Sequence, residues 1–166
     1  KCLLTLVLGA ILSCCQSDGE SPAHAPKKAK SAAELAQLQR AYFASGCFWC
    51  VEAVFESVDG VAEAVSGYAG GHTKDPTYQS IGTGQTGHAE AVDGQAPDFG
   101  SQYRSIIFYQ DEAEQRIAQA AKAAVAASGR YEAPIVTEIV PLETFYPAED
   151  YHQDYERKHP DDSYVR

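Results

Sequence analysis

At 166 residues the chain has room for one domain and no more. With 22% charged and 45% hydrophobic residues it has the composition of a globular protein. Its 23 acidic against 13 basic residues leave a net charge of −10, which repels phosphate backbones and sets nucleic acid aside as a partner.

Residues 1–13 start on Lys1 and run through the apolar stretch Leu3 to Leu12, too short to span a bilayer as a helix. A basic start, an apolar core and small residues after it predict a secretory signal. Its end, Ile11-Leu12-Ser13-Cys14, resembles a bacterial lipoprotein box. That resemblance implies lipidation of Cys14, a firm lipid anchor and a place in the bacterial cell envelope, facing the periplasm. The absence of Met places the first residue just inside the expected N-terminus. Residues 14–39 have the composition of a tether, with Pro22, Pro26 and the Lys27, Lys28, Lys30 cluster, and Ser31 is placed to cap a short helix reaching about Gln39.

The domain spans residues 40–166. Ala41–Ala44 reads as a strand and Cys47–Ser57 as a helix, with Phe48, Val51, Val54, Phe55 and Val58 at helical spacing and Gly60 at its end. Val61–Tyr68 reads as a strand, Thr77–Ile81 as a helical turn, and Glu90–Val92 and Arg104–Tyr109 as strands. Asp111–Ser128 is the longest helix, alanine-rich and closed by Gly129, and Ile135–Val140 is a buried strand ended by Pro141. Strands and helices mix without regular alternation, which predicts an α+β two-layer sandwich followed by a long irregular C-terminal tail from Phe145.

The strongest local signal is Gly46-Cys47-Phe48-Trp49-Cys50 at a strand-to-helix junction. A helix N-terminus offers unpaired N–H groups and partial positive charge, so a thiol there is expected to ionise more readily. Gly46 permits a tight turn and close approach of a substrate. Cys47 and Cys50, at i and i+3, share a helix face at a separation compatible with a disulfide. A zinc site needs further ligands, and no second CxxC or close His pair supplies them, so no metal and no cofactor are expected. Gly82-Thr83-Gly84-Gln85-Thr86-Gly87 matches a dinucleotide-binding pattern, but extended-looking sequence follows it where a helix is required, so it reads as a loop shaping a pocket.

Six segments then recur in order: Gly46–Trp49, Gly67–Gly71, Pro76–Tyr78, Thr86–Glu90, Gly100–Ser105 and Phe145–Gln153. Together they resemble the peptide methionine sulfoxide reductase A family over about residues 40–164. The resemblance implies a ferredoxin-like plait with a mixed sheet, and the reduction of methionine-S-sulfoxide, free or in oxidised proteins, by a monomer. It assigns Cys47 as the nucleophile, Glu90 as the acid that protonates the sulfoxide oxygen, and Tyr78 and Tyr103 as phenols that hydrogen-bond that oxygen. Phe48 and Trp49 become the aromatic wall for the substrate methyl group, and Asp98 an acidic residue near the site. A carboxyl in a closed aromatic pocket keeps its proton because burial penalises the charged form. His88 and His152 read as structural hydrogen-bonders, His72 and His159 as loop residues. The reaction leaves Cys47 as a sulfenic acid, which a second thiol must meet. Many relatives carry that thiol in a C-terminal tail; here no Cys follows position 50, so the resolving role passes to Cys50, with a thioredoxin-like dithiol as external reductant.

The sequence departs from the family twice. Only Ala91–Ser101 separates the Glu90 segment from Gln102-Tyr103-Arg104, an apparent internal deletion near 91–101 of about one strand and helix, which would uncover apolar sheet surface and could misplace Asp98 and Tyr103. The chain also stops at Arg166, where CxxC-bearing relatives are expected to continue. Two other readings therefore stand beside an active reductase: a catalytically impaired lipoprotein remnant, and a general thiol–disulfide exchanger.

Overall fold

The computed structural model describes residues 31–90 and 100–163. Cys14 with the rest of the N-terminal segment, and Asp98 with the shortened stretch, lie outside the described residues. Helix α1 (Ala32–Leu35) is capped reciprocally by Ser31 and Glu34, and it ends well before Gln39. So short a helix with mostly exposed residues has little packing to extend it.

The described strands form two three-stranded sheets rather than one. In the first, β4 (Ile106–Tyr109) lies between β1 (Tyr42–Ala44), antiparallel to it, and β5 (Glu138–Pro141), parallel to it. A parallel neighbour requires a crossover, and α4 (Glu112–Ala127) supplies it. Asp111 accepts from the Glu114 amide at 2.9 Å to start that helix, and Gly129 at φ +69° follows its end. The Lys122 ammonium donates to the Thr137 carbonyl at 2.6 Å and ties the helix to the approach to β5. The strand expected to be buried over Ile135–Val140 is shorter and only half-buried, with Glu138 and Pro141 exposed, because β5 lies at a sheet edge.

The second sheet has β2 (Gly67–Ala69) at its centre, antiparallel to both β3 (Ala89–Glu90) and β6 (Phe145–Pro147). The expected strand from Val61 shrinks to its last residues. The expected irregular tail is also corrected: it contributes β6 and a short helix α5 (Tyr155–Lys158). Pro147 argues against a strand when read in sequence, but it closes an edge strand, where a missing N–H is tolerated. Gly67 has to be small, since a Cβ there would strike the Phe145 ring and the Tyr146 carbonyl.

Ala44, Ile106 and Phe108 from the first sheet pack with Ala69 and Ala89 from the second into one apolar cluster. On the opposite face of β2, Tyr68 joins Phe48, Ile81 and Ala148, with Trp49, Tyr78 and Tyr146 packed around them. The second cluster is mostly aromatic where the first is built mainly on alanines and Ile106 around Phe108, and the cysteines flank its Phe48 and Trp49 in sequence. Its helices are α2 (Phe48–Ser57) and α3 (Tyr78–Gly82), the latter opened by a reciprocal Thr77–Ser80 cap.

Candidate active site

Gly46 adopts φ +88°, a left-handed conformation that suits glycine, and turns the chain from β1 into α2. Cys47 is the N-cap of α2 but makes no side-chain capping bond, so its sulfur sits at the positive end of a ten-residue helix without being spent on the backbone. Cys47 and Cys50 are both half-buried free thiols. Cys50 lies against Cys47 and against Glu156 of α5. Hydrogen bonding to Cys47, then burial, then the charges of Cys47 and Glu156 push its thiol far above the usual range. The two sulfurs are therefore unequal: Cys50 is the one whose protonated form its surroundings favour.

Phe48 is 1% exposed and backs the site from below, with its ring 5.9 Å from Tyr68, 6.4 Å from Tyr78 and 4.9 Å from His152. Of the expected aromatic wall, Trp49 is the member left half-exposed. Its indole N–H donates to His152 Nδ1 at 3.0 Å, and its ring stacks on Tyr155 at 3.6 Å and 8°. Accepting at Nδ1 leaves the neutral His152 ring its proton on Nε2, which makes no hydrogen bond and faces Glu149 Oε2 at 3.9 Å. Burial lowers the His152 pKa, with the Glu149 charge opposing. His152 therefore orients Trp49, in keeping with the structural part expected of it. His88 behaves likewise: Nδ1 accepts from the Gly71 amide at 3.1 Å, and Nε2 donates to the Thr73 carbonyl at 2.8 Å.

Glu90 is 3% exposed and directly opposite Tyr68 across β2 and β3, so both side chains share the face that carries the aromatic cluster. The Tyr68 hydroxyl donates to Glu149 Oε2 at 2.8 Å, and burial, then that bond, then the charges of Glu149 and Glu90 raise its pKa steeply. Glu149 Oε1 accepts from the Tyr78 amide at 3.1 Å, which fixes the start of α3 and hence Tyr78. Burial works against the Glu149 charge, but the Tyr78 amide and the Tyr68 hydroxyl hold its pKa below the ordinary glutamate value. Tyr103 ends a 3-10 turn (Ser101–Tyr103) that packs against β3, the strand that bears Glu90. The glycine-rich run 82–87 lies between a helix and a strand, the reverse of the nucleotide-binding order.

Several residues of the site were not singled out from the sequence. Glu52, 5% exposed on α2, accepts from Ser66 Oγ at 2.7 Å and from the Asp154 amide at 2.9 Å, and burial raises its pKa despite both bonds. A carboxylate four residues after Phe48, on the apolar face, was the clue to it. Tyr155 and Glu156 reach the site only because α5 docks on α2, which no local pattern announces.

A pair of unequal thiols at a helix start, with a half-buried carboxyl against one of them and an aromatic cluster alongside, defines a thiol-based oxidoreductase. The family model "Peptide methionine sulfoxide reductase" matches residues 39–94 and 91–166. The peptide methionine sulfoxide reductase MsrA of Natronomonas pharaonis is 46% identical over 148 residues, covering 73% of this chain and 83% of that protein. The MsrA of Listeria innocua is 44% identical over 148 residues, covering 73% and 84%. Among solved structures, methionine sulfoxide reductase A of Corynebacterium diphtheriae superposes with a TM-score of 0.60 at 32% identity, covering 72% of this chain and 74% of that one. Mxr1 from Saccharomyces cerevisiae in reduced form gives 0.65 at 27% identity, covering 72% and 84%. The chain belongs to the peptide methionine sulfoxide reductase family.

Proposed function

We propose that the chain reduces methionine-S-sulfoxide, free or in oxidised proteins, with Cys47 as nucleophile. The Cys47 sulfur attacks the sulfoxide sulfur while Glu90 gives its proton to the sulfoxide oxygen, which Tyr78 and Tyr103 hydrogen-bond. Trp49, backed by Phe48, holds the methyl group. The oxygen ends on Cys47 as a sulfenic acid, and methionine leaves. Cys50 then condenses with Cys47, and a thioredoxin-like dithiol reduces the disulfide. The observation that carries this reading is the pair of half-buried thiols, Cys47 and Cys50, in the first turn of α2 beside the aromatic cluster. The test is mixing with pure sulfoxide epimers: Cys47→Ser is expected to form no methionine, and Cys50→Ser about one equivalent before stalling. Equal multi-turnover rates with a dithiol protein in both variants would end the scheme.

The finer expectations belong to the same proposal. A ferredoxin-like plait is part of it, resting on the family resemblance, and a shortened stretch near 91–101 is supported by the family match falling into two stretches that overlap at 91–94. Restoring a strand and helix there is expected to raise stability and activity together. Asp98 is proposed to approach the site from that stretch. The lipid anchor at Cys14 and a periplasm-facing location rest on the Ile11–Cys14 pattern, and membrane fractionation of Cys14→Ala checks them; the monomeric state rests on the family resemblance alone. No helix among the described residues is long and apolar enough to cross a membrane.

A further inference from the structure

Glu156 is held against Cys50 by two fixed links. The Trp49 indole, one residue before Cys50, stacks on Tyr155, one residue before Glu156, at 3.6 Å. Glu52 Oε1 accepts from the Asp154 amide at 2.9 Å and pins the turn that leads into α5. Asp154 there adopts φ +56°, an unusual conformation for a residue other than glycine, so the turn has a defined shape for Glu52 to hold. The Glu52 oxygens are occupied by Ser66 and Asp154. Among the described residues, Glu156 is the carboxylate whose hydrogen bond and charge reach the Cys50 thiol.

We propose that Glu156 is a catalytic residue of the resolving step, the base that takes the Cys50 proton as Cys50 attacks the Cys47 sulfenic acid. The inference rests on the reading of Cys50 as the resolving thiol. While Cys47 is a thiolate, the Cys50 S–H is shared with it, and Cys50 does not compete for the sulfoxide. Once Cys47 has become a neutral sulfenic acid, that anionic partner is gone, and the Cys50 proton faces Glu156. The Cys50 sulfur supplies the electron pair of the new S–S bond, and the Cys47 S–O bond breaks. The Cys50 proton passes to Glu156, the departing hydroxide takes a proton from solvent and leaves as water, and Glu156 returns its proton to solvent to become a carboxylate again. The step consumes no further oxidant or reductant; the dithiol protein acts only on the disulfide that results. Burial raises the Glu156 pKa, which brings its proton affinity nearer that of a thiol and suits it to the exchange.

The test uses the full chain, mixed with one equivalent of methionine sulfoxide. Methionine release is followed beside the mass of the peptide that carries both Cys47 and Cys50. Glu156→Gln is expected to slow disulfide formation on the order of a hundredfold relative to the methionine burst in the same mixture. Excess dithiothreitol, which reacts with the sulfenic acid directly, is expected to restore turnover. Arg157→Gln, a change in the same helix, is expected to resolve at the normal rate; slowing as large as that of Glu156→Gln would assign the effect to the helix and overturn the proposal. Normal disulfide formation in Glu156→Gln, with Cys50→Ser stalled, would overturn the role of Glu156 alone. Resolution of Cys50→Ser as fast as the unaltered chain would overturn this role together with that of Cys50.

Discussion

The sheets β1-β4-β5 and β3-β2-β6 are built from strands of similar length, yet they bury different chemistry. Around the first, the packed groups are Ala44, Ile106 and Phe108, held under an alanine-rich helix. Around the second, Tyr68, Glu90, His88, Glu52, Ser66 and His152 are all buried polar or hydroxyl-bearing side chains. Buried polar groups cost stability unless they are bonded, and here the bonds run between distant parts of the chain: Tyr68 to Glu149, Trp49 to His152, Glu52 to Asp154. The aliphatic half sustains the fold, and the polar half spends part of that stability on positioning reactive groups.

Glu90→Gln probes this division most strongly. Glutamine matches the shape of the carboxyl but has no acidic proton to give. Sulfoxide reduction is expected to fall by about 10²–10⁴ in kcat/KM, with little change in the urea midpoint. A large stability loss with normal activity would make Glu90 part of the scaffold instead.

Glu52→Ala is next. It strips a partner from the buried Ser66 hydroxyl and from the half-buried Asp154 amide, and is expected to cost about 3 kcal/mol in urea unfolding. Because Glu52 holds the turn into α5, disulfide formation is expected to slow as well. Loss of stability with normal disulfide formation would uncouple the turn from the cysteines.

A smaller effect follows from His152. Burial lowers its folded pKa, whereas the unfolded chain takes up the proton near the ordinary histidine value of about 6.5. The stability it confers is therefore fully present above that value and is lost as pH falls through it towards the folded pKa. The protein has a single tryptophan, Trp49, which donates to this ring. Its fluorescence is expected to follow the acid transition, and His152→Gln is expected to flatten the dependence of urea midpoint on pH.

How far each half could be read beforehand follows from its physics. In the aliphatic half, periodicity and caps located β1, β4 and α4 nearly to the residue, because Asp111, Gly129 and the Ile106–Phe108 run act locally. In the polar half, the local CxxC at a strand-to-helix junction singled out Cys47, but only ordered segments resembling a family singled out Glu90, Tyr78 and Tyr103. The strand Phe145–Pro147 was hidden by its proline, and the extended sequence from Val61 paired only at Gly67–Ala69. Glu156 gave no signal at all, since its approach to Cys50 is created by the docking of α5. Local rules describe elements that pack on one apolar face; contacts between segments a hundred residues apart become visible only in three dimensions.

The mildest change tests the quiet side of the molecule. Asp111 accepts from the Glu114 amide at 2.9 Å and satisfies one of the four N–H groups that a helix start leaves unpaired. Asp111→Ala removes that bond and a negative charge at the positive end of α4, and is expected to cost about 1 kcal/mol in urea unfolding. The helix touches β4 and β5 and contributes nothing to the aromatic cluster around the cysteines. Methionine release and disulfide formation per folded molecule are therefore expected to stay normal, and they can be followed in the same mixing experiment. If either rate drops by more than the lost folded fraction accounts for, the first sheet transmits strain to the second and the two halves do not act independently.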